Sequence, residues 1–446
     1  MNYQLAVIGG GPAGYTAAEI AGKAGMSVVL FEKNALGGVC LNEGCIPTKT
    51  LLYSAKIYEH AIEGSKYGVN AENVSVDLPK IIARKAKIIR KLGLGIKARL
   101  TAANVKIVLG EAFIVDKNNI KCGEESYVCD KMIICTGSET IIPDIKGLDE
   151  VCWWTHRDAL NNKEIPSSLT IIGGGVIGIE FASFFNSLGT KVTVIEMLDE
   201  ILGAMDNEIS SFVRTEYIKR GIKFILSAKV LEVYNVDNHI DIIYQDTQGV
   251  NTIESEKLLL SVGRRPVMKG IGLENLDMEL TERKCIKVRD DMQSSVNGVY
   301  VCGDLNGTSL LAHTAIREAE VAVNNILGIE DRMEYTSVPG VVYTNPEVSG
   351  VGSTEEQLIM QGMEYNSIKL PMTYAGRFVV ENEGFNGLCK ILTKKDNTML
   401  GVHIVGTPSS EFIVVAGNAI RNNEKLDDLK RYIFPHPTVS EILHEL

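Results

Sequence analysis

Two cysteines, Cys40 and Cys45, stand in the segment Leu36-Gly37-Gly38-Val39-Cys40-Leu41-Asn42-Glu43-Gly44-Cys45-Ile46-Pro47-Thr48-Lys49. A thiol acts through its thiolate, and a pair within bonding reach can cycle between dithiol and disulfide. In a regular helix, Cα atoms five residues apart lie roughly 8–9 Å from each other, by pitch and radius. A disulfide needs less than about 7 Å. A bridge here therefore requires irregular backbone, which Asn42 and Gly44 can supply. Pro47 suits the first turn of a following helix, and Leu51, Leu52, Ala55 and Ile57 continue a helical pattern. Cys45 then sits near a helix N-terminus, where the macrodipole favours thiolate. Lys49, four residues on, shares its helical face. A zinc knuckle is excluded by the spacing and by the absence of a second C-x-x-C pair. The remaining cysteines (Cys122, Cys129, Cys135, Cys152, Cys285, Cys302 and Cys389) are expected to be buried and inert, since free cysteine packs as a small hydrophobe.

The elements that position this pair belong to an internal repeat. The first copy runs from Leu5-Ala6-Val7-Ile8 through Gly9-Gly10-Gly11-Pro12-Ala13-Gly14 into a helix over 15–23, then a strand over 27–31 ending at Glu32. The second runs from Leu169-Thr170-Ile171-Ile172 through Gly173-Gly174-Gly175-Val176-Ile177-Gly178 into a helix reaching about Leu188, then a strand over 191–195 ending at Glu196. Both read strand, G-x-G-x-x-G, helix, strand, acid, with the acid 23 residues after the first glycine. The glycines allow a tight turn, a close approach to pyrophosphate and close helix–strand packing. The helix N-terminus offers free N–H groups and a partial positive charge, and the acid can accept from ribose hydroxyls. Glu196 would repel a 2′-phosphate, and Met197, Leu198, Asp199 and Glu200 supply no arginine, so the second site is read as NAD rather than NADP. Hydride passes readily between nicotinamide and flavin, so FAD plus NAD is the economical pair, with FAD in the first copy. The run Gly298-Val299-Tyr300-Val301-Cys302-Gly303-Asp304 reads as a buried strand that could complete the first sheet, with Asp304 toward a ribityl or phosphate group.

A chain of 446 residues exceeds one comfortable core, so two to four domains are expected. Its net charge of −11 argues against nucleic acid or an anionic membrane as general partners. No apolar run reaches the ~18 residues of a membrane span, and no secretory signal is expected at the start. Nine cysteines at irregular spacing do not form a disulfide framework, so a cytoplasmic location is expected.

Further segments extend the pattern: Val262-Gly263-Arg264-Arg265-Pro266, Val341-Val342-Tyr343-Thr344-Asn345-Pro346-Glu347, and Pro435-His436-Pro437-Thr438-Val439-Ser440-Glu441. Together with the cysteine segment they make the chain, over nearly its whole length, resemble the flavin-containing pyridine nucleotide–disulfide oxidoreductases that act on dihydrolipoamide. The resemblance implies an α/β fold: two Rossmann-like dinucleotide-binding domains, the NAD domain inserted in the FAD domain, plus a C-terminal α+β dimerisation domain. The implied boundaries are 1–142 (FAD), 143–263 (NAD), 264–331 (a central domain completing the FAD site) and 332–446 (interface). It implies a homodimer whose active site combines both subunits. Cys40 would exchange with substrate and Cys45 face the flavin. His436 would be the base, arriving from the partner subunit, with Glu441 orienting it. Lys49 and Glu180 would form a charge pair beside the flavin. Gly9, Gly11, Gly14, Glu32, Gly38, Thr136, Gly137, Gly303, Asp304 and Ala312 would hold FAD, and Gly173, Gly175, Gly178, Glu196 and Gly263 would hold NAD. No metal is implied. The implied partner is a lipoyl-bearing carrier protein of a 2-oxoacid dehydrogenase complex or the glycine cleavage system. Elementary chemistry agrees: a dithiol attacking as thiolate must lose a proton, histidine accepts one near neutrality, and a carboxylate can fix its tautomer. His60, His156, His313, His403 and His444 are expected to be structural.

Particular residues argue against the nearest rivals. A glutathione-type reductase would need arginines after the second strand of the second copy, and Glu196 stands there instead. A mercuric reductase would carry a C-terminal cysteine pair, where this chain has Leu443-His444-Glu445-Leu446. A flavin NADH oxidase needs one redox cysteine rather than two. A non-catalytic nucleotide-binding or redox-sensing protein would not need His436 and Glu441 together with the cysteine pair.

Overall fold

The computed structural model describes residues 1–445, which divide into two compact units. The first comprises Met1–Thr48, Ala83–Ile141 and Gly263–Glu334. Its sheet runs in the order Lys106–Leu109, Val28–Glu32, Asn2–Ile8, Glu125–Ile134, Asn119–Cys122, Ala112–Ile114. Val28–Glu32 is buried at every residue, as a central parallel strand covered on both faces must be. Glu125–Ile134 is long enough to do two jobs. Its first half pairs antiparallel with Asn119–Cys122, and its last residues pair parallel with the returning strand Val299–Val301. The expected closing strand is therefore in place, although it comes from a distant part of the chain.

Within this unit the helix Pro12–Lys23 starts three residues earlier than expected, with Pro12 in its first turn. It buries Ala13, Ala17, Ala18 and Ala21, small side chains that let it pack close to its own strand and to the helix Ala312–Ile326.

The second unit comprises Lys49–Ile82, Ile142–Val262 and Tyr335–Leu446. It repeats the parallel plan in the order Lys223–Ile225, Lys191–Ile195, Ser168–Ile172, Lys257–Leu260, Trp153–Trp154. The helix Val176–Ser187 is buried from Gly178 to Phe185, and Phe181, Phe184 and Phe185 join Trp154 in the core. An antiparallel sheet of Lys229–Val236, His239–Asp246 and Gly249–Ser255 follows. The C-terminal part is a five-stranded antiparallel sheet in the order Gly340–Val342, Val348–Gly352, Met399–Val405, Leu388–Thr393, Asn366–Leu370, packed by the helix Ser409–Arg421.

One charged group lies deep in this unit. Lys390, on Leu388–Thr393, is fully buried, and its ammonium meets Asp206 at 2.9 Å, Glu355 at 2.5 Å and Glu208 at 3.1 Å. Asp206 also caps the helix Asn207–Lys219 by accepting from the Glu208 N–H. Among the described residues, no helix is long and apolar enough to cross a membrane.

Candidate active site

The two glycine motifs fold alike. Each opens on a glycine with positive φ, +100° at Gly9 and +108° at Gly173. A Cβ at Gly14 would overlap the Gly9 carbonyl oxygen, and one at Gly178 would overlap that of Gly173, so helix and strand meet at a distance only glycine permits. The helices begin at Gly11 and Gly175 with no side-chain cap, which leaves their first N–H groups free. A Cβ built at Gly175 would meet nothing within 4 Å, and one at Gly11 only Gly38 Cα at 3.9 Å. Open space before uncapped N–H donors fits a pyrophosphate. The acids match as well. Glu32 accepts the Gly10 N–H at 2.7 Å and the Asn34 N–H at 2.7 Å. Glu196 accepts the Gly174 N–H at 2.6 Å and the Leu198 N–H at 2.8 Å. Each carboxylate is thereby fixed in place and keeps lone pairs for ribose hydroxyls.

In the first unit the other expected residues gather at the same end of the sheet. A Cβ at Gly9 would lie 3.3 Å from Thr136 N, one at Gly38 2.7 Å from Gly11 Cα, and one at Gly303 3.8 Å from Ala13 Cβ. The Gly137 carbonyl accepts the Val267 N–H, and Ala312 begins the helix Ala312–Ile326. The Gly303 N–H donates to the buried Glu318 at 2.6 Å. Asp304 accepts a short hydrogen bond from the Ser138 hydroxyl, which itself accepts from Arg264 Nε at 2.7 Å. Ser138, Arg264 and Glu318 are not among the residues expected from sequence. The first two directly follow Gly137 and Gly263, an adjacency that could have pointed to them. Gly263 belongs to the first unit, where its carbonyl accepts the Ile141 N–H at 3.0 Å.

Cys40 and Cys45 form a disulfide with Cα atoms 4.8 Å apart, and both are half-buried. The irregular backbone is at Gly44 alone, where the helix Gly38–Glu43 stops and Cys45–Glu63 begins. A Cβ on Gly44 would press to 3.1 Å from the Val39 carbonyl oxygen. Asn42 is helical, contrary to expectation. Its side-chain amide instead donates to Gly38 O at 2.8 Å and Leu36 O at 3.1 Å, tying the short helix to the turn before it. Cys45 is the first residue of its helix and Pro47 lies in the first turn, where no N–H is missed. Of the seven other cysteines, five are buried, including Cys135 and Cys302 at adjacent strand ends, where burial pushes the Cys302 thiol up. Cys122 is only half-buried, and Cys152, expected inside, is exposed because it precedes a two-residue edge strand.

In the second unit, Lys49 donates to both oxygens of Glu180 at 2.9 Å. Glu180 is 3% exposed and also accepts the Tyr343 N–H at 2.9 Å. His436 Nδ1 lies 2.8 Å from Glu441 Oε1, while the Thr438 N–H donates to Glu441 Oε2 at 2.7 Å. The Thr438 N–H, followed by the His436 ring, holds the Glu441 carboxyl below the usual carboxylate range. An ionised Glu441 keeps the proton on Nδ1, which leaves Nε2 as the basic atom. The His436 side chain is 80% exposed.

Residues 3–319 match the pyridine nucleotide-disulphide oxidoreductase family, and residues 338–446 match the dimerisation domain of the same family. The chain belongs to the pyridine nucleotide-disulphide oxidoreductases. It is 34% identical to the dihydrolipoyl dehydrogenase of Geobacillus stearothermophilus, over 98% of this chain and 94% of the relative. It is 35% identical to the dihydrolipoyl dehydrogenase of Bacillus subtilis strain 168, with the same coverage. Its fold is similar to that of the HOCl-induced flavoprotein disulfide reductase RclA from Escherichia coli, at 28% identity and a TM-score of 0.88, over 100% of this chain and 99% of the other.

Proposed function

We propose that the protein is a dihydrolipoyl dehydrogenase, oxidising protein-bound dihydrolipoamide to lipoamide with NAD+ by way of the Cys40–Cys45 disulfide. The observation that carries this is the cystine at a helix start, in a chain whose curated relatives bear that name. The protein uses FAD and NAD. Gly9, Gly11, Gly14, Glu32, Gly38, Thr136, Gly137, Gly303, Asp304 and Ala312 would hold FAD, and Gly173, Gly175, Gly178, Glu196 and Gly263 would hold NAD. When bound, FAD takes an electron pair from the reduced dithiol and NAD+ receives it as hydride.

The chain's own residues do the thiol chemistry. One dihydrolipoyl thiolate attacks Cys40 Sγ, the Cys40–Cys45 bond breaks, and Cys45 leaves as a thiolate favoured by its helix N-terminus. The second dihydrolipoyl sulfur attacks the first, forming lipoyl disulfide and releasing Cys40. His436 Nε2 of the partner subunit accepts the proton of the first attacking thiol, the second thiol's proton passes to the Cys40 thiolate as it is released, and Glu441 holds that imidazole in the required tautomer. Lys49 and Glu180 serve as the charge pair of the site.

The reading divides the chain at 1–142, 143–263, 264–331 and 332–446, and makes it a cytoplasmic homodimer serving a lipoyl-bearing carrier of a 2-oxoacid dehydrogenase complex or the glycine cleavage system. The matched dimerisation domain supports the homodimer. One pair of assays tests the substrate: NAD+ reduction by dihydrolipoamide against NADPH-driven reduction of glutathione disulfide. Turnover only in the second overturns the reading.

A further inference from the structure

The Lys49–Glu180 pair has a third member that no motif assigns. After the strand Gly340–Val342, the segment Tyr343-Thr344-Asn345 is pinned at several points. Asn345 Nδ2 donates to Glu59 Oε2 at 2.6 Å, and Arg220 and Tyr217 donate to the Asn345 carbonyl at 2.7 and 3.3 Å. Glu59 lies on the same helix as Lys49, Cys45–Glu63, so the segment is tied to the helix that carries the ammonium. Its Tyr343 N–H meets the carboxylate, which sits on a different helix, Val176–Ser187.

The side chain of Tyr343 meets the other partner. Lys49 Nζ lies 4.5 Å from the centre of its ring. A lysine head is a compact charge on a flexible stem, and a carboxylate on one side does not by itself fix it. The Lys49 side chain keeps 31% of its surface exposed, so the ring supplies what the carboxylate does not: an electronegative face on a second side of the cation. Burial, then Glu347, Glu180 and Glu411, push the Tyr343 phenol up, so the ring stays neutral at physiological pH.

We propose that Tyr343 is a positioning residue for the Lys49–Glu180 pair, its backbone N–H orienting the carboxylate and its ring holding the ammonium. The hydroxyl has no part in this, so the aromatic face is the element required. The proposal rests on Lys49 and Glu180 being the charge pair of the active site.

The test uses the full-length flavoprotein with three substitutions. Tyr343→Phe keeps the ring. Tyr343→Leu and Tyr343→Met remove it while keeping the backbone N–H, and two such variants guard against one packing poorly. The midpoint potential of the bound flavin is measured by dye equilibration, alongside kcat and KM for dihydrolipoamide. Expected: Tyr343→Phe matches the parent, while the ring-less variants lower kcat by about threefold to tenfold at unchanged KM and shift the potential in one common direction. If the ring-less variants match the parent, or Tyr343→Phe is as impaired as they are, the proposal is overturned. If only Tyr343→Phe folds, its match to the parent in potential and kcat supports the ring, and a difference removes it. A parent protein that binds flavin but does not turn over dihydrolipoamide would instead undo the proposed function, a result read before any variant is compared.

Discussion

Glu441 accepts from two sides at once, with His436 Nδ1 at 2.8 Å on one oxygen and the Thr438 N–H at 2.7 Å on the other. A short helical turn at Val439–Leu443 holds the carboxylate, with Val439, Ile442 and Leu443 buried beneath it. The exposed imidazole therefore has a fixed anchor although it has little packing of its own.

The first prediction concerns this anchor. Glu441→Gln places an amide that can donate to Nδ1 and so favour the wrong tautomer. We expect kcat to fall by on the order of 10²-fold or more, with flavin content unchanged. The sign of the pH dependence follows from the lowered Glu441 pKa. A depressed acid keeps its charge, and the contacts that depend on it, until pH falls through that lowered value. As pH falls through that value Glu441 is neutralised and the His436 anchor is lost, so kcat should fall on the far acid side. An acid-side fall in kcat that survives unchanged in Glu441→Gln, which has no carboxyl to neutralise, would contradict this.

The second concerns the cystine. Cys45→Ser should abolish dihydrolipoamide turnover while the protein remains yellow. The introduced hydroxyl fits where the thiol was, so the fold and the flavin site stay intact, but no disulfide can form. Undiminished turnover by the variant would remove the proposed route.

The third separates the two nucleotide motifs. Gly14→Ala drives a methyl group into the Gly9 carbonyl oxygen and should strip flavin from the purified protein. Gly178→Ala does the same against Gly173 and should leave flavin bound while raising the KM for NAD+. Overpacking of this kind costs about 1–3 kcal/mol, so the KM should rise by on the order of tenfold. Flavin absorbance and NAD+ titration decide it, and the opposite pattern would reverse the two assignments.

The fourth is a stability prediction. Lys390 and Asp206 are both fully buried and 2.9 Å apart. Lys390→Met leaves the Asp206 carboxylate without its cation and should cost about 3–5 kcal/mol in urea unfolding. Adding Asp206→Asn should recover part of that loss. A double variant no more stable than the single one would mean that the lost charge pairing is not the cause.

Much of the fold was legible because it is local. A run of buried apolar residues, a glycine turn, a helix and a terminal acid lie within about thirty residues, and the same pattern occurs twice. The break between Cys40 and Cys45 was also legible, since residues five apart in a regular helix cannot bridge. Which residue makes the break was less so. Asn42 and Gly44 both permit it, and only in the folded chain does Asn42 spend its amide on the Gly38 and Leu36 carbonyls. Cys152 was misplaced because its neighbours are apolar, while the strand it precedes is two residues long and at a sheet edge.

The sequence alone determined the two nucleotide-binding motifs, the acids that close them and the reactive cysteine pair, because each depends on spacing within a short stretch of chain. Tertiary structure decided the rest. Lys49 and Glu180 are 131 residues apart in sequence and Tyr343 is 163 from Glu180, yet all three meet around one carboxylate. Lys390 finds Asp206 across 184 residues. No periodicity encodes such meetings, because a side chain's partner across the fold is set by which strands and helices pack together rather than by its neighbours in the chain.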